Sequence, residues 1–197
     1  MSLRTIRLTA WAAVAVIAVV GLTFLLFSPE RRGGSVETAT IGGPFSLTSQ
    51  HGKTVTEADL EDHPSALFFG YTHCPDVCPT TLFEATGWLQ ALGKDADRLK
   101  FYFVTVDPQR DTQELLADYM EAFDPRITGL TGSREAVDEI ISGYRVYASK
   151  VDGDEASYTM DHTASVYLLD EEARLVGTID YQEDPDTALA KLRRLVN

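Results

Sequence analysis

The sequence predicts an α/β sandwich with a central mixed β-sheet and flanking helices, preceded by one N-terminal transmembrane helix. Strand patterns alternate with helical patterns through most of the chain, which is typical of a sheet covered by helices. Two strand patterns, at 65–71 and 99–106, are continuous apolar runs and indicate strands buried on both faces. A hairpin pattern near the end adds antiparallel strands, so the sheet is expected to be mixed.

The composition is that of a globular protein and excludes several functional classes. The 197 residues include 17 Lys and Arg against 30 Asp and Glu, for a formal net charge of −13, and 44% are hydrophobic. A disordered chain is excluded by the apolar content. Nucleic acid is not expected as a partner, because phosphate binding needs a basic face. Two cysteines are too few for a disulfide-built scaffold.

An uncharged apolar stretch of 20 residues at 8–27 predicts the transmembrane helix. A helix of that length is roughly 30 Å long, which is the hydrocarbon thickness of a bilayer. The alternative is a cleaved signal peptide, whose apolar core is shorter and ends at a small-x-small site. This stretch instead ends in Leu25, Leu26 and Phe27. We therefore expect residues 1–27 to form an uncleaved membrane anchor.

The rest of the chain is predicted to be a linker and a single domain. Residues 28–44 contain four glycines, two prolines and no apolar periodicity, which indicates a flexible linker. Residues 45–197 are long enough for one hydrophobic core. Arginines lie on both sides of the span, so the positive-inside rule only slightly favours a cytoplasmic N terminus and an exported domain.

The elements of the domain follow from apolar spacing and turn residues. Residues 45–55 alternate around His51-Gly52 and predict a hairpin. A helix is expected to begin at Pro79, since proline favours the first helical position. Its inward residues are predicted to be Leu82, Ala85, Leu89 and Leu92. The later elements are predicted as a helix at 111–123, a strand at 127–130, a helix at 133–144, a strand at 145–151, a hairpin of strands at 163–169 and 174–181, and a helix at 184–196.

Cys74 and Cys78 form a C-x-x-x-C pair directly after the first buried strand. The predicted helix start places Cys78 at a helix N terminus, where the dipole is expected to lower its pKa and favour the thiolate. A structural disulfide is the alternative, but a bridge across so short a loop removes little entropy from the unfolded chain. The position of the pair therefore favours metal or redox chemistry.

Four histidines could complete a metal site with the cysteines. His51 and His63 lie in predicted loops and are expected to be solvated. His73 adjoins Cys74, but neighbouring residues on an extended segment point to opposite sides. His162 lies at the end of a predicted loop, just before the strand at 163–169. Spacing alone leaves open whether His162 reaches the cysteines.

Three segments in order resemble the Sco/SenC family of copper-binding, thioredoxin-like proteins. They are FFGYTHCPDVCPTTL at 68–82, FVTVDPQRDTQELLADY at 103–119 and DHTASVYLLD at 161–170. The resemblance covers essentially the whole predicted domain. It implies a thioredoxin-like sandwich and a copper chaperone, rather than an enzyme, acting in assembly of the CuA centre of cytochrome c oxidase. Cys74, Cys78 and His162 would then bind one copper per chain, as Cu(I), Cu(II) or both.

The resemblance also implies partners and a location. The partners would be the oxidase subunit that carries the CuA site and an upstream periplasmic copper donor. The chain would be a single-pass protein of the inner, cytoplasmic membrane, with its domain in the periplasm or, in a eukaryote, in the mitochondrial intermembrane space. Asp161 could orient the ring of His162 or simply be solvated, and Asp76 could contact a partner or face water.

The residues fit copper, and other chemistries also remain open. Thiolates suit Cu(I), and imidazole suits either oxidation state. A thiol–disulfide oxidoreductase could use Cys74 and Cys78 as its redox pair. Against it, the spacing departs from C-x-x-C, and His162 stands where such reductases usually carry a cis-proline. Zinc would lack an evident fourth protein ligand, and nothing marks a peroxide-activating site for a peroxidase.

Overall fold

The computed structural model describes residues 41–151, 153 and 157–197, together with Arg4, Arg7, Trp11, Val16 and Ile17. The chain divides into two compact units, Met1–Ala39 and Thr40–Asn197. Apart from three of these single residues, the predicted span at 8–27 lies outside the described residues, as does most of the predicted linker. Within the described part of the chain, no helix has the length and apolar character needed to cross a bilayer.

Among the described residues of the second unit, nine strands form two sheets. In chain order they are β1 Ser46–Ser49, β2 Thr54–Thr56, β3 Ser65–Gly70, β4 Lys100–Thr105, β5 Ile127–Thr131, β6 Ala148–Val151, β7 Thr159–His162, β8 Val166–Leu169 and β9 Leu175–Ile179. Seven of them form one sheet in the order β2-β1-β5-β4-β3-β8-β9, while β6 and β7 form a separate antiparallel pair. Strands β3, β4 and β5 are parallel and the other pairs antiparallel, which confirms the mixed sheet.

In the described part of the second unit, four α-helices accompany the sheet. They are α1 Val77–Leu92, α2 Gln113–Met120, α3 Arg134–Gly143 and α4 Pro185–Leu195, with 3-10 helices at Glu57–Leu60 and Gly93–Arg98. The predicted cap Ser133 accepts a hydrogen bond from the Ala136 N–H, and Thr112 accepts one from the Leu115 N–H. These side chains satisfy first-turn donors that have no partner within the helix.

Helices cover both faces of the large sheet. On one face, Gly70 lies against Cys78 of α1, and Gly129 lies against Leu116 of α2. On the other face, Phe69 packs its ring against Tyr144, which caps α3. This layering confirms the predicted α/β sandwich and is the thioredoxin-like arrangement that the resemblance implied.

Most predicted elements are confirmed, and two predictions near the cysteines and His162 are wrong. Helix α1 begins at Val77 rather than at Pro79. Pro79 is tolerated there because it lies in the first turn, where an amide N–H has no intrahelical acceptor. His162 was expected at the end of a loop, but it is the last residue of strand β7. The pattern around it is too short and too polar to identify a strand that pairs only with β6.

The sheet topology explains why the candidate site residues lie together at the carboxyl ends of β3 and β4. Because β3 and β4 are parallel neighbours, the loops that follow them leave the same edge of the sheet. The loop after β3 carries Cys74, and the loop after β4 carries the segment 107–111. Ligands of open α/β sheets commonly bind at this edge. The β6–β7 hairpin brings His162 to the same place from outside the large sheet.

Candidate metal centre

Cys74, Cys78 and His162 meet at this edge of the sheet. Their ligand atoms all lie within 4.8 Å of one another, although His162 is 84 residues beyond Cys78 in the chain. The Cys78 Sγ atom is 3.3 Å from His162 Nε2. Among the described residues, this is the one group of three or more side chains that could hold a metal ion. The question that spacing left open is therefore answered by the fold, because His162 reaches the cysteines.

The two cysteines differ in exposure. Cys74 is half-buried in the loop before α1, whereas Cys78 is fully buried as the second residue of that helix. The Cys78 N–H donates to Cys74 Sγ at 3.4 Å. An amide at the helix N terminus thus forms a hydrogen bond with the more exposed, outer sulfur. Room for the inner sulfur comes from Gly70, where a Cβ atom would lie only 2.7 Å from Cys78 Sγ. Both cysteines are free thiols.

The pKa values of the two thiols move in opposite directions. A hydrogen bond from Cys78 lowers the pKa of Cys74 to about 3 against the opposing effect of burial. The hydrogen bond to Cys74 and burial both raise the pKa of Cys78. The prediction that the helix N terminus makes Cys78 the thiolate is therefore wrong. The outer sulfur of Cys74 carries the negative charge, because it accepts hydrogen bonds and remains partly solvated.

In the metal-free, reduced protein, the contribution of this thiol pair to the free energy of unfolding is expected to peak near pH 9. In the unfolded chain both thiols have the ordinary pKa of about 9. Between about pH 3 and pH 9 the folded protein binds fewer protons than the unfolded chain, because Cys74 is ionised, so stability rises with pH. Above pH 9 the folded protein retains the Cys78 proton that the unfolded chain loses, so stability falls.

The measurement is the free energy of unfolding against pH, relative to the double variant Cys74→Ser/Cys78→Ser. The difference between the two proteins is expected to rise from acidic pH, peak near pH 9 and then decline. A difference that stays constant over this range would show that the thiols are not shifted.

The ring of His162 is held so that one nitrogen faces the sulfurs. Its Nδ1 atom lies 2.9 Å from the Thr163 carbonyl oxygen, and its ring stands edge-on to Phe68 and Tyr71. A carbonyl oxygen only accepts, so Nδ1 carries the hydrogen of the neutral ring and Nε2 presents its lone pair to the site. Asp161 is exposed, and the Thr163 carbonyl oxygen, rather than the Asp161 carboxylate, accepts the hydrogen bond that orients the His162 ring. This favours the alternative in which Asp161 is simply solvated.

A buried carboxylate holds the loop that carries Cys74. Asp111 is fully buried and accepts hydrogen bonds from the Thr72 N–H at 3.0 Å, the Thr72 hydroxyl at 2.6 Å and the Thr105 hydroxyl at 2.6 Å. Burial raises its pKa, and these hydrogen bonds oppose the increase. Asp111 thus connects the loop after β4 with the loop after β3.

The remaining sequence candidates lie outside the group of three. His73 places Nδ1 2.9 Å from the Thr72 hydroxyl, and its side chain is about half exposed. His51 and His63 are exposed, as predicted. Asp76 is exposed at the start of α1, where its carboxylate accepts a hydrogen bond from the Thr80 hydroxyl at 3.3 Å.

Comparison with known proteins identifies the family. The family model described as SCO1/SenC matches residues 33–197. The chain belongs to the SCO1/SenC family. Among its curated SCO1/SenC relatives, the mitochondrial protein SCO2 of Saccharomyces cerevisiae is 33% identical over 98% of this chain and 69% of its own length. Protein SenC of Rhodobacter capsulatus is 32% identical over 94% of this chain and 87% of its own length. The chain spans about half the length of some other curated relatives.

A solved SCO1/SenC structure agrees with the fold. ScoI of Bradyrhizobium japonicum, determined with copper bound, is 49% identical and superposes with a TM-score of 0.74. The match covers 79% of this chain and 99% of the ScoI chain. These findings confirm the resemblance and the thioredoxin-like fold.

The residues that support the SCO1/SenC site were not predicted from the sequence. Asp107 and Arg110 entered only as part of the family segment 103–119, Asp111 also as the start of the predicted helix at 111–123, and Tyr158 was given no role. One feature of the sequence could have identified Asp107, Arg110 and Asp111 as site residues. They directly follow a buried strand that is expected to run parallel to the strand before the cysteines, so they belong to the same sheet edge.

Proposed function

We propose that this chain is a copper metallochaperone that delivers copper to the CuA site of cytochrome c oxidase during its assembly. Cys74, Cys78 and His162 would hold one copper ion per chain. The observation that carries the proposal is the convergence of two sulfurs and one imidazole nitrogen within 4.8 Å. Family membership and the copper bound to the related ScoI support the same metal.

The three proposed ligands suit a copper ion that is bound only until it is transferred to another protein. Thiolates are soft ligands that favour Cu(I), and the imidazole also accommodates Cu(II). Three protein ligands leave copper open to a ligand of the recipient. Cys74 is half-buried and Cys78 is buried, so a recipient would approach from the Cys74 side. Copper can then pass through a shared intermediate in which the inner Cys78 is released last.

The proposal includes a membrane anchor. Residues 1–27, with a span at 8–27, would fix the chain in the inner membrane, and residues 28–44 would tether the domain 45–197 in the periplasm or the mitochondrial intermembrane space. A flexible linker of this length has a root-mean-square reach of roughly 20 Å. The domain would therefore stay near the membrane surface, where an integral oxidase subunit would present its copper site.

A second candidate function is thiol–disulfide exchange that keeps the recipient's cysteines reduced. It is favoured by the contrast between the ionised, half-buried Cys74 and the protonated, buried Cys78. Cys74 would attack a disulfide and Cys78 would resolve the mixed disulfide. Copper binding remains the preferred function, because His162 faces the sulfurs.

Deletion of this protein is expected to lower the amount of CuA-containing oxidase chiefly when copper is limiting. Added copper should restore the CuA centre, because at a high copper concentration the oxidase can acquire copper without a chaperone that captures it. The measurement is the CuA content of purified oxidase at two copper concentrations. A fully assembled CuA centre in copper-limited cells would contradict delivery. Catalytic reduction of a protein disulfide by the metal-free protein would instead support the second candidate.

A further inference from the structure

The segment 107–111 contains a buried ion pair that the copper ligands do not use. Asp107 is buried, and the side chain of Arg110 is only 14% exposed. The Arg110 Nε–H donates to the Asp107 carboxylate. Burying a guanidinium and a carboxylate costs desolvation free energy. The other hydrogen-bond partners of Asp107 and Arg110 therefore indicate which part of the structure this ion pair holds in place.

Both members of this pair bind Tyr158, which lies immediately before strand β7. The Tyr158 hydroxyl donates to the Asp107 carboxylate, whose oxygens are 2.7 and 2.9 Å away. The Arg110 Nη1–H donates to the Tyr158 carbonyl oxygen at 2.9 Å. Burial, together with the bond to Asp107, raises the pKa of Tyr158 to about 12, so the phenol remains a donor.

The ring of Tyr158 lies between two cations. The Arg110 Cζ atom is 3.6 Å from the ring centroid, and the Lys150 Nζ atom is 3.7 Å from it. Two positive groups this close to one centroid must occupy opposite faces of the ring. Cation–π contacts are stronger when they are desolvated, as for the buried ring of Tyr158. Since Lys150 belongs to β6 and Tyr158 directly precedes β7, these contacts connect Arg110 to β6 and to the start of β7.

These contacts matter for His162 because, among the described residues, the strands β6 and β7 pair with each other and with no strand of the large sheet. Side-chain contacts with the rest of the domain therefore help to fix the position of the hairpin. His162 lies four residues after Tyr158, at the end of the strand that Tyr158 precedes, and its ring contacts Tyr71 edge-on. The guanidinium of Arg110 also lies 5.6 Å from the ring centroid of Tyr71. Arg110 thus contacts Tyr158, which precedes β7, and Tyr71, which precedes the cysteine loop.

We propose that Asp107, Arg110 and Tyr158 form a clamp that positions His162 against the cysteines and thereby sets how tightly copper is bound. The clamp residues are positioning residues, since they act through the hairpin rather than on copper. The inference rests on the proposed function and deepens it. Asp111 holds the cysteine loop from the same segment, so 107–111 connects both halves of the site.

The test compares Arg110→Ala with Arg126→Ala in the full reduced chain, purified in detergent. Arg126 is a matched control, because it donates to Asp124 at 2.8 and 2.7 Å and lies before β5, at the opposite edge of the sheet. Arg110→Ala is expected to weaken Cu(I) affinity, measured against a competing chelator, by about 10- to 100-fold. Arg126→Ala should leave the affinity at the parent value.

Two further measurements separate positioning from general stability. In a His162→Ala background, Arg110→Ala is expected to have little further effect on copper affinity, because the ligand it positions is gone. In the metal-free protein, Arg110→Ala should accelerate hydrogen exchange of the β7 amides but not of the α1 amides. Equal effects of Arg110→Ala in both backgrounds, or unchanged exchange in β7, would overturn the clamp.

The outcomes also distinguish this inference from the proposed function. If the parent chain binds no copper, the chaperone function and the role of the clamp both fail. If the parent binds copper and Arg110→Ala retains it as well as Arg126→Ala does, the clamp alone fails.

Discussion

Replacement of Cys78 by serine is expected to weaken Cu(I) binding by more than about 100-fold, because loss of a direct ligand should exceed the loss of an outer-shell partner. Cys78 is buried beside His162 and Cys74, so no exposed group can take the place of its sulfur. Serine is close to cysteine in size, but its hydroxyl is a hard, neutral ligand that Cu(I) does not favour. The measurement is a competition titration of the reduced full chain.

His73→Ala is the matched control for this experiment. His73 adjoins Cys74 and is half exposed, but it lies outside the group of three side chains. Its replacement should leave copper affinity unchanged. If Cys78→Ser binds copper as tightly as the parent, or if His73→Ala abolishes binding, the proposed ligand set is incorrect. Thermal unfolding of each variant shows whether the fold is retained.

Asp111→Ala is expected to lower the free energy of unfolding by about 3 kcal/mol, because it leaves two part-buried donors and one buried donor without an acceptor. The donors are the N–H and hydroxyl of Thr72 and the hydroxyl of Thr105. The Thr72 bonds hold the loop that leads to Cys74, so copper affinity should fall together with stability. Denaturant unfolding of the metal-free protein and copper titration measure the two effects.

The control for Asp111 is an exposed carboxylate with a single ion-pair partner. Asp138 pairs with Arg134 on the surface of α3 and is 62% exposed. Surface pairs of this kind contribute little, so Asp138→Ala should change stability by less than about 0.5 kcal/mol. A comparably small change for Asp111→Ala would show that the Thr72 and Thr105 donors find other partners.

Elements with a strong local pattern were predicted well. The apolar run at 65–71 is the fully buried strand β3, and the inward residues predicted for the following helix are all buried in α1. The closing hairpin is β8 and β9, which are antiparallel neighbours. In each case the residues that specify the element are close together in the chain, so their spacing carries the information.

The protonation states of the two cysteines could not be predicted in the same way. The helix dipole alone predicts that Cys78 is the thiolate. In the folded protein, burial and the bond to Cys74 outweigh the dipole, so the charge resides on Cys74. Relative burial of two neighbouring thiols depends on what packs over them. For Cys78 these groups include Gly70 of β3 and His162 of β7.

Local spacing was thus enough for the α/β class, the main strands and helices, and the cysteine pair, because each of these is encoded within one stretch of chain. The meeting of His162 with the cysteines, the clamp on Tyr158 and the division of charge between the thiols depend on residues far apart in the sequence. Bringing them together requires the parallel pairing of β3 with β4 and the docking of the β6–β7 hairpin. These features arise from packing between elements, which periodicity along one element does not record.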